Sequence, residues 1–431
     1  MSTKLNGSDN KPTAIVKNGS WRNANNSIRN ETRAETVNPD LVCISHLRWD
    51  FVYQRPQHLL TRAAKDRRVF FVEEPIFDNG SMRLEMNERA GGVVVVVPHL
   101  PHGLRSEVAT HVVLRDMVDR LFALQDIRLF IAWYYTPMAL TFTEHLVPIA
   151  TVYDCMDQLS AFKDASPYLH QLELTLFQRA DVVFTGGQSL YEAKRRQHKL
   201  VFPFPSSIDR EHFGQARTLT VEPQDQRSIA HPRLGFFGVI DERFDAELLN
   251  SVADTRPDWQ FVLIGPVAKI DPEILPQKKN IHYLGSKRYE ELPAYLAGWD
   301  VALLLFARNE ATRFISPTKT PEYLAAGKPV VSTSIQDVVR PYGELGLVSI
   351  ADTPAEFISA VKKILSKQDR SAWLKRVDGF LSNMSWDETW SSMSDLIEHA
   401  VRDKLALLVD GGTTEVRSAT RTPVARVATA F

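Results

Sequence analysis

The stretch Ser316-Pro317-Thr318-Lys319-Thr320-Pro321-Glu322 gathers hydroxyl and charged side chains where a helix would begin. A hydroxyl residue before proline favours helix entry, and two such steps occur here: Ser316 before Pro317 and Thr320 before Pro321. The spacing does not choose between them. The exit is clearer, because Gly327 can take the left-handed conformation that ends a helix and Pro329 prevents its continuation, after which Val330 and Val331 open a strand. The first turn of a helix carries unpaired backbone N–H groups and a positive dipole end, which suit a phosphate. Lys319, flanked by Ser316 and Thr318, would add a full charge there, and Glu322 can accept hydrogen bonds from a diol such as ribose. These groups fit a nucleoside diphosphate, with a capped helix carrying solvated Lys319 and Glu322 as the plainer alternative.

Three further groups of residues have types suited to chemistry. In Thr151-Val152-Tyr153-Asp154-Cys155-Met156-Asp157, two carboxylates end an apolar run. Asp157, farther past the strand, is placed to take a proton from a hydroxyl, whereas Asp154 is suited to bonding local backbone. The turn Gly238 to Asp245 combines a glycine with Arg243, whose planar fork matches phosphate oxygens unless Asp241 or Asp245 engages it first. The segment His46-Leu47-Arg48-Trp49-Asp50-Phe51-Val52-Tyr53-Gln54-Arg55-Pro56-Gln57-His58 offers His46, Arg48, Trp49 and Arg55 to an acceptor or its phosphate. Its alternative is a helix start with Arg55 buried in a salt bridge. Tyr289 reads as packing rather than stacking on a ligand, and residues 309–312 read equally as cleft lining or as polar surface.

These groups need elements to carry them. From Leu41 onward, short apolar runs alternate with helical stretches: 41–45, 69–73, 93–97, 129–133, 150–153 and 181–185. Several are continuous rather than alternating, as strands covered on both faces are. Between them, residues 105–125 carry Val112, Leu114, Met117, Leu121 and Leu124 at helical spacing. The period lapses over 214–232, then a second series follows at 233–237, 261–264, 281–284, 301–306, 329–332 and 346–350. The pattern predicts an α/β chain of two parallel, doubly wound halves. Ligands of such sheets bind at the C-terminal ends of the strands, so the halves would share a cleft.

The 431 residues are enough for two or three domains at about 150 residues each. Lys and Arg number 51 against 52 Asp and Glu, a formal charge of −1, so no bulk positive field exists to hold a nucleic-acid backbone. Only Cys43 and Cys155 are present, too few for a disulfide framework or a zinc cluster, which fits a reducing compartment. No apolar run approaches the roughly 20 residues of a membrane helix, and the polar start lacks an apolar signal core. A cytosolic protein is expected, with contact at a membrane surface left open. Residues 1–38 have the composition of a disordered arm and residues 408–431 of a flexible tail.

The stretch from Ser316 to Thr333 resembles the nucleotide-sugar-binding segment of bacterial GT-B glycosyltransferases. The resemblance is to a group 1 branch similar to teichuronic-acid and exopolysaccharide enzymes, including the xanthan glucuronosyltransferase type, and it runs from Leu41 to about Leu396. Ala180-Asp181-Val182-Val183-Phe184-Thr185, Pro205-Ser206-Ser207-Ile208-Asp209-Arg210-Glu211-His212-Phe213, Gly235 to Arg243 and the Trp-Asp…Gln-Arg-Pro-Gln-His run at 49–58 carry it. The resemblance implies two Rossmann-like domains facing across a cleft: an acceptor-side domain at 39–213, a linker at 214–232, a nucleotide-sugar domain at 233–385 and a helical segment at 386–407. It implies sugar transfer from a nucleoside-diphosphate sugar to a saccharide or lipid-linked acceptor in cell-surface polysaccharide synthesis, at the inner face of a membrane. Gly238, Arg243, Ser316, Thr318, Lys319 and Glu322 would then hold the donor, with Asp157 as base. Many related retaining enzymes carry a second Glu eight residues before the one matching Glu322, where this chain has Phe314. The sequence has no Asp-x-Asp metal motif, and no metal or cofactor is expected. A nucleotide-sugar epimerase and a catalytically silent scaffold of the same fold are the alternatives.

Overall fold

The computed structural model describes residues 38–104, 107–163, 165–367 and 369–411. The expected arm, except Asn38, and the tail beyond residue 411 lie outside the described residues, as does Arg105. The apolar runs form strands, and the strands form two sheets. In the first sheet, β1 (Asp40–Ile44), β2 (Val69–Val72), β3 (Ile76–Asp78), β5 (Val93–Pro101), β6 (Phe130–Tyr134), β7 (Ala150–Cys155), β8 (Val182–Thr185) and β9 (Val201–Pro203) lie in the order β3-β5-β2-β1-β6-β7-β8-β9. All these pairings are parallel, and β4 (Arg83–Arg89) adds an antiparallel edge to β5. The second sheet, β12-β11-β10-β13-β14-β15, is wholly parallel and contains β10 (Arg233–Phe237), β11 (Gln260–Ile264), β12 (Ile281–Tyr283), β13 (Val301–Leu304), β14 (Val330–Ser332) and β15 (Val348–Ile350).

Alternate residues of each strand enter different cores, which is why the runs are continuously apolar. Leu41, Cys43, Phe71 and Trp133 pack on one face of the first sheet, and Val42, Ile44, Phe70 and Tyr134 on the other. In the second sheet Leu304 and Val330 face one way, Leu303 and Val331 the other. Cys43 and Cys155 are buried and unpaired.

The structure adds detail to three of the expected segments. Of the apolar positions on helix Glu107–Gln125, Leu114, Met117 and Leu121 are buried, whereas Val112 and Leu124 are 57% exposed. Helical spacing alone had not separated the buried face from its neighbour. Residues 214–232 are firmly anchored, since Gln226 is fully buried between the Tyr295 carbonyl and the Trp299 indole N–H, and Arg217 donates to the Ala325 carbonyl at 2.7 Å. The last helix, Trp386–Gly411, returns to the first lobe, where Trp386, Met393, Ile397 and Val401 complete one core face. Trp386 stacks on His58 at 4.5 Å, and Arg62–Asp387 and Lys404–Asp181 pairs fasten the helix along its length.

The strand order fixes where ligands can go. The strand order reverses in both sheets, between β1 and β6 in the first and between β10 and β13 in the second. Loops that leave adjacent strands on opposite faces open a crevice at such a point. The segment after β1 and the turn after β10 therefore lie at the two switch points.

A candidate donor and acceptor cleft

A cavity of about 760 Å³ opens between the lobes, within the range of small-molecule sites. Its second-lobe wall includes Gly238, Arg243, Ser316, Thr318, Lys319 and Glu322, and its first-lobe wall includes Trp49, Arg55 and Asp157. His46 and Arg48 are not among its lining residues.

On the second-lobe wall the helix begins at Lys319, between the two anticipated entries, and runs to Ala325 without a side-chain cap. Thr318 precedes it, and the Ser206 hydroxyl of the first lobe's last segment lies 3.4 Å from both the Ser316 carbonyl and the Thr318 hydroxyl. Thr320 is buried with its hydroxyl unpartnered. Gly327, at φ +71°, ends the helix in the left-handed conformation. The aliphatic stem of Lys319 crosses Gly238, where a Cβ would stand 2.1 Å from Lys319 Cε and 2.5 Å from Nζ. Gly238 also holds φ +133°, so it is required both by its backbone and by the space Lys319 occupies.

The ammonium of Lys319 lies 5.6 and 5.7 Å from the Phe236 and Phe306 ring centres. No carboxylate stands within 4.0 Å of it among the described residues. Burial, reinforced by Arg243, pushes its pKa down to about 8, while Glu322, Asp241 and Asp157 oppose the shift. Glu322 is buried as well, which pushes its carboxyl up to about 7 against the attraction of Lys319. The pair is thus a weakly compensated cation and carboxyl at the rim of an apolar floor. Arg243 differs, because Asp241 accepts from its backbone N–H at 3.0 Å and from Nη2 at 2.6 Å. The ring of Phe162, a first-lobe residue, lies 5.4 Å from its guanidinium carbon.

On the first-lobe wall, Asp157 follows β7 and is half-buried. Burial raises its pKa; Arg243, Arg55 and Lys319 pull it down and Asp241 adds to the rise. Asp157 therefore feels charges from both lobes, as a group facing the cleft must. Asp154 is fully buried and holds Arg55 in a two-pronged pair, at 2.8 Å to Nε and 2.9 Å to Nη2. The remaining arm of Arg55 donates to the Phe204 carbonyl at 2.7 Å. Arg55 thus takes the buried salt-bridge alternative. Arg48 is bound by Glu73 and by the carbonyls of Glu74 and Pro75. Burial and nearby Lys269 lower the His46 ring pKa to about 4, leaving it neutral. Trp49 packs its edge on Phe71 at 5.0 Å.

Tyr289 is sandwiched: His212 stacks at 4.2 Å and Tyr53 at 4.4 Å, so neither ring face is open to a base. Tyr53, which lines the cleft and stacks on Tyr289, and Phe162, which faces the Arg243 guanidinium, were not singled out from the sequence. An aromatic residue in a loop has no periodicity to mark it. Phe314 packs against a first-lobe core.

Residues 231–367 match the family described as Glycosyl transferases group 1. A curated protein of Bacillus subtilis strain 168, named for teichuronic acid biosynthesis as the glycosyltransferase TuaH, is 24% identical over 261 residues, covering 55% of this chain and 64% of that protein. The chain thus spans under two thirds of the length of that relative. Among solved structures, sucrose-phosphate synthase from Thermosynechococcus elongatus superposes with a TM-score of 0.59 at 14% identity, covering 87% of this chain and 99% of the other. HepE of Anabaena, in complex with UDP and glucose, does so at 0.59 and 13%, covering 84% and 100%. The second lobe therefore matches the group 1 glycosyl transferase family over residues 231–367, and the chain as a whole has the two-lobed GT-B fold of these solved structures.

Proposed function

We propose that this protein transfers a sugar from a nucleoside-diphosphate sugar to a hydroxyl of a saccharide or lipid-linked acceptor during synthesis of a cell-surface polysaccharide. The observation that carries this reading is the opposition, across one cleft, of Asp157 to Lys319, Glu322 and Arg243. The Lys319 ammonium, lacking an ion-pair partner among the described residues, meets the diphosphate, and in a partly desolvated site its charge gains strength as negative charge develops on the leaving group. Glu322 accepts hydrogen bonds from the ribose diol. Arg243, already held by Asp241, supplies its remaining arm to the phosphates. From the opposite wall Asp157 takes the acceptor proton as its oxygen attacks the anomeric carbon and the bond to the diphosphate breaks. Its raised pKa makes it a stronger base than an exposed carboxylate. Attack from the face opposite the leaving group inverts the anomeric centre.

The name of the Bacillus relative favours a cell-surface acceptor, and the glucose and UDP of the Anabaena complex make UDP-hexoses the first donors to try. No helix among the described residues is long and apolar enough to cross a membrane. Work at the cytoplasmic face, with peripheral contact to a lipid-linked acceptor, is part of the proposal. A ligand that binds only the native state raises the melting temperature. UDP, ADP, UDP-glucose and UDP-glucuronic acid should therefore be screened by thermal shift, and the stabilising donors incubated with lipid-linked saccharides. Formation of an extended saccharide supports the proposal; failure of every nucleotide and nucleotide sugar at millimolar concentration to stabilise the protein overturns it.

A further inference from the structure

On one flank of the cleft the two lobes meet through a buried carboxylate. Asp337 belongs to the second lobe, in the short turn Gln336–Val338 that follows β14, and is 5% exposed. Its Oδ1 accepts from the backbone N–H of Ser189 at 3.0 Å, in the first turn of the first-lobe helix Gln188–Lys194. A helix's leading N–H groups are normally satisfied by the residue just before it. Here that residue is Gly187, which has no side chain to offer, and the acceptor comes from the other lobe instead. Gly187 is also what admits it: a Cβ there would stand 2.1 Å from Asp337 Oδ2 and 2.8 Å from Ser316 Cβ. Oδ2 is buried without a hydrogen-bond partner among the described residues. Just beyond that turn, Arg340 pairs with Glu192 of the same first-lobe helix at 3.3 Å, adding a second, more exposed link. The neighbouring residues Gly186 and Ser316 both line the cleft, so this contact lies directly beside the cavity.

We propose that Asp337 is a positioning residue: by capping a first-lobe helix from the second lobe, it fixes the approach of the two walls that brings Asp157 to face Lys319 and Arg243. The kinetic part of this inference rests on the sugar-transfer reading, and the geometric part does not.

The test places spin labels on cysteines introduced at two exposed positions, Arg196→Cys in the first lobe and Glu273→Cys in the second; native Cys43 and Cys155 are buried. Wild-type protein should give a narrow interlobe distance distribution, and Asp337→Ala a broadened one. UDP affinity should stay within about twofold, because the donor wall lies in the second lobe, while kcat falls about tenfold or more through misplacement of Asp157. Asp337→Asn retains the accepting oxygen and should restore both the narrow distribution and most of the turnover. Gly187→Ala, whose methyl displaces the carboxylate, should reproduce Asp337→Ala and serves in its place if that variant does not fold. An unchanged distribution in both Asp337→Ala and Gly187→Ala overturns the proposal, as does an Asp337→Asn protein no better than Asp337→Ala. Should wild-type protein transfer no sugar to any acceptor, the sugar-transfer reading fails while the distance distributions still decide the role of Asp337.

Discussion

The two walls of the cleft treat their charged residues in opposite ways. On the second-lobe wall Lys319 and Glu322 are held at the cavity without ion-pair partners within 4.0 Å among the described residues, each pushed by burial toward its neutral form. On the first-lobe side the arginines are already satisfied, Arg55 by Asp154 and Arg48 by Glu73. Charged residues on the two walls therefore do different work. An unsatisfied buried charge is costly to the free protein and is retained where a ligand relieves it, whereas a satisfied one holds the fold. Asp157 is the exception on its wall, a carboxylate exposed to the cleft and to the cations opposite.

The largest expected effect breaks that exception. Asp157→Asn keeps the shape of the side chain but cannot take a proton, and should lower kcat by about a hundredfold to ten-thousandfold. Donor affinity measured by calorimetry should change little; near-normal turnover would remove Asp157 from the mechanism. Next in size is Arg55→Met, which leaves Asp154 buried without its partner and should cost about 3–5 kcal/mol of stability in denaturant unfolding. Adding Asp154→Leu should recover much of this loss, since removing both charges also removes the uncompensated one. A stable Arg55→Met protein with weakened acceptor binding would return Arg55 to the ligand side of the comparison.

Lys319→Ala removes a charge-assisted contact and should weaken UDP binding about tenfold to a hundredfold, with thermal stability preserved or raised. The pH dependence has a definite sign. The Lys319 pKa is lowered to about 8 in the free cleft, and the diphosphate favours the charged form. Affinity should thus be fully present below pH 8 and fall as pH rises through and beyond that value, by up to about tenfold per unit. Arg243, Asp241, Asp157 and Glu322 all act on this ammonium and set where the fall begins. Calorimetric titrations from pH 6.5 to 9.5 check this, and the decline above pH 8 should vanish in Lys319→Ala.

Much of the fold was legible because a strand buried on both faces is written as an unbroken apolar run, and twelve such runs marked strands of the two sheets. What escaped was written in another form. Strand β4, Arg-Leu-Glu-Met-Asn-Glu-Arg, is a half-exposed edge and carries mostly polar residues. The anchoring of residues 214–232 depends on single polar side chains such as Gln226 rather than on a period. In the site, Lys319 and Glu322 could be picked out because one turn of a local motif carries both. The partner of Arg55 lies 99 residues away, and pairing at that range leaves no trace in spacing. Gly238 was noticed for its freedom to approach a ligand, yet its missing side chain makes room for the Lys319 stem, which only packing reveals.

The smallest effect sharpens the comparison most economically. Arg48 keeps 36% of its side chain exposed and donates to the Glu73 carboxylate and to two backbone carbonyls just beyond β2. It also stands outside the cleft lining. If its role is to fasten the segment after β1 to the end of β2, Arg48→Ala should cost no more than about 1 kcal/mol, because a partly exposed ion pair is screened by solvent. Glu73 accepts the Trp49 backbone N–H at 2.8 Å, so it keeps one partner when the guanidinium is removed and the loop retains its anchor. UDP affinity and the KM for an acceptor should then remain near wild-type values. A large rise in acceptor KM with unchanged stability would show instead that the arginine turns from Glu73 to an acceptor when one binds, and the first-lobe wall would regain a cation for its ligand.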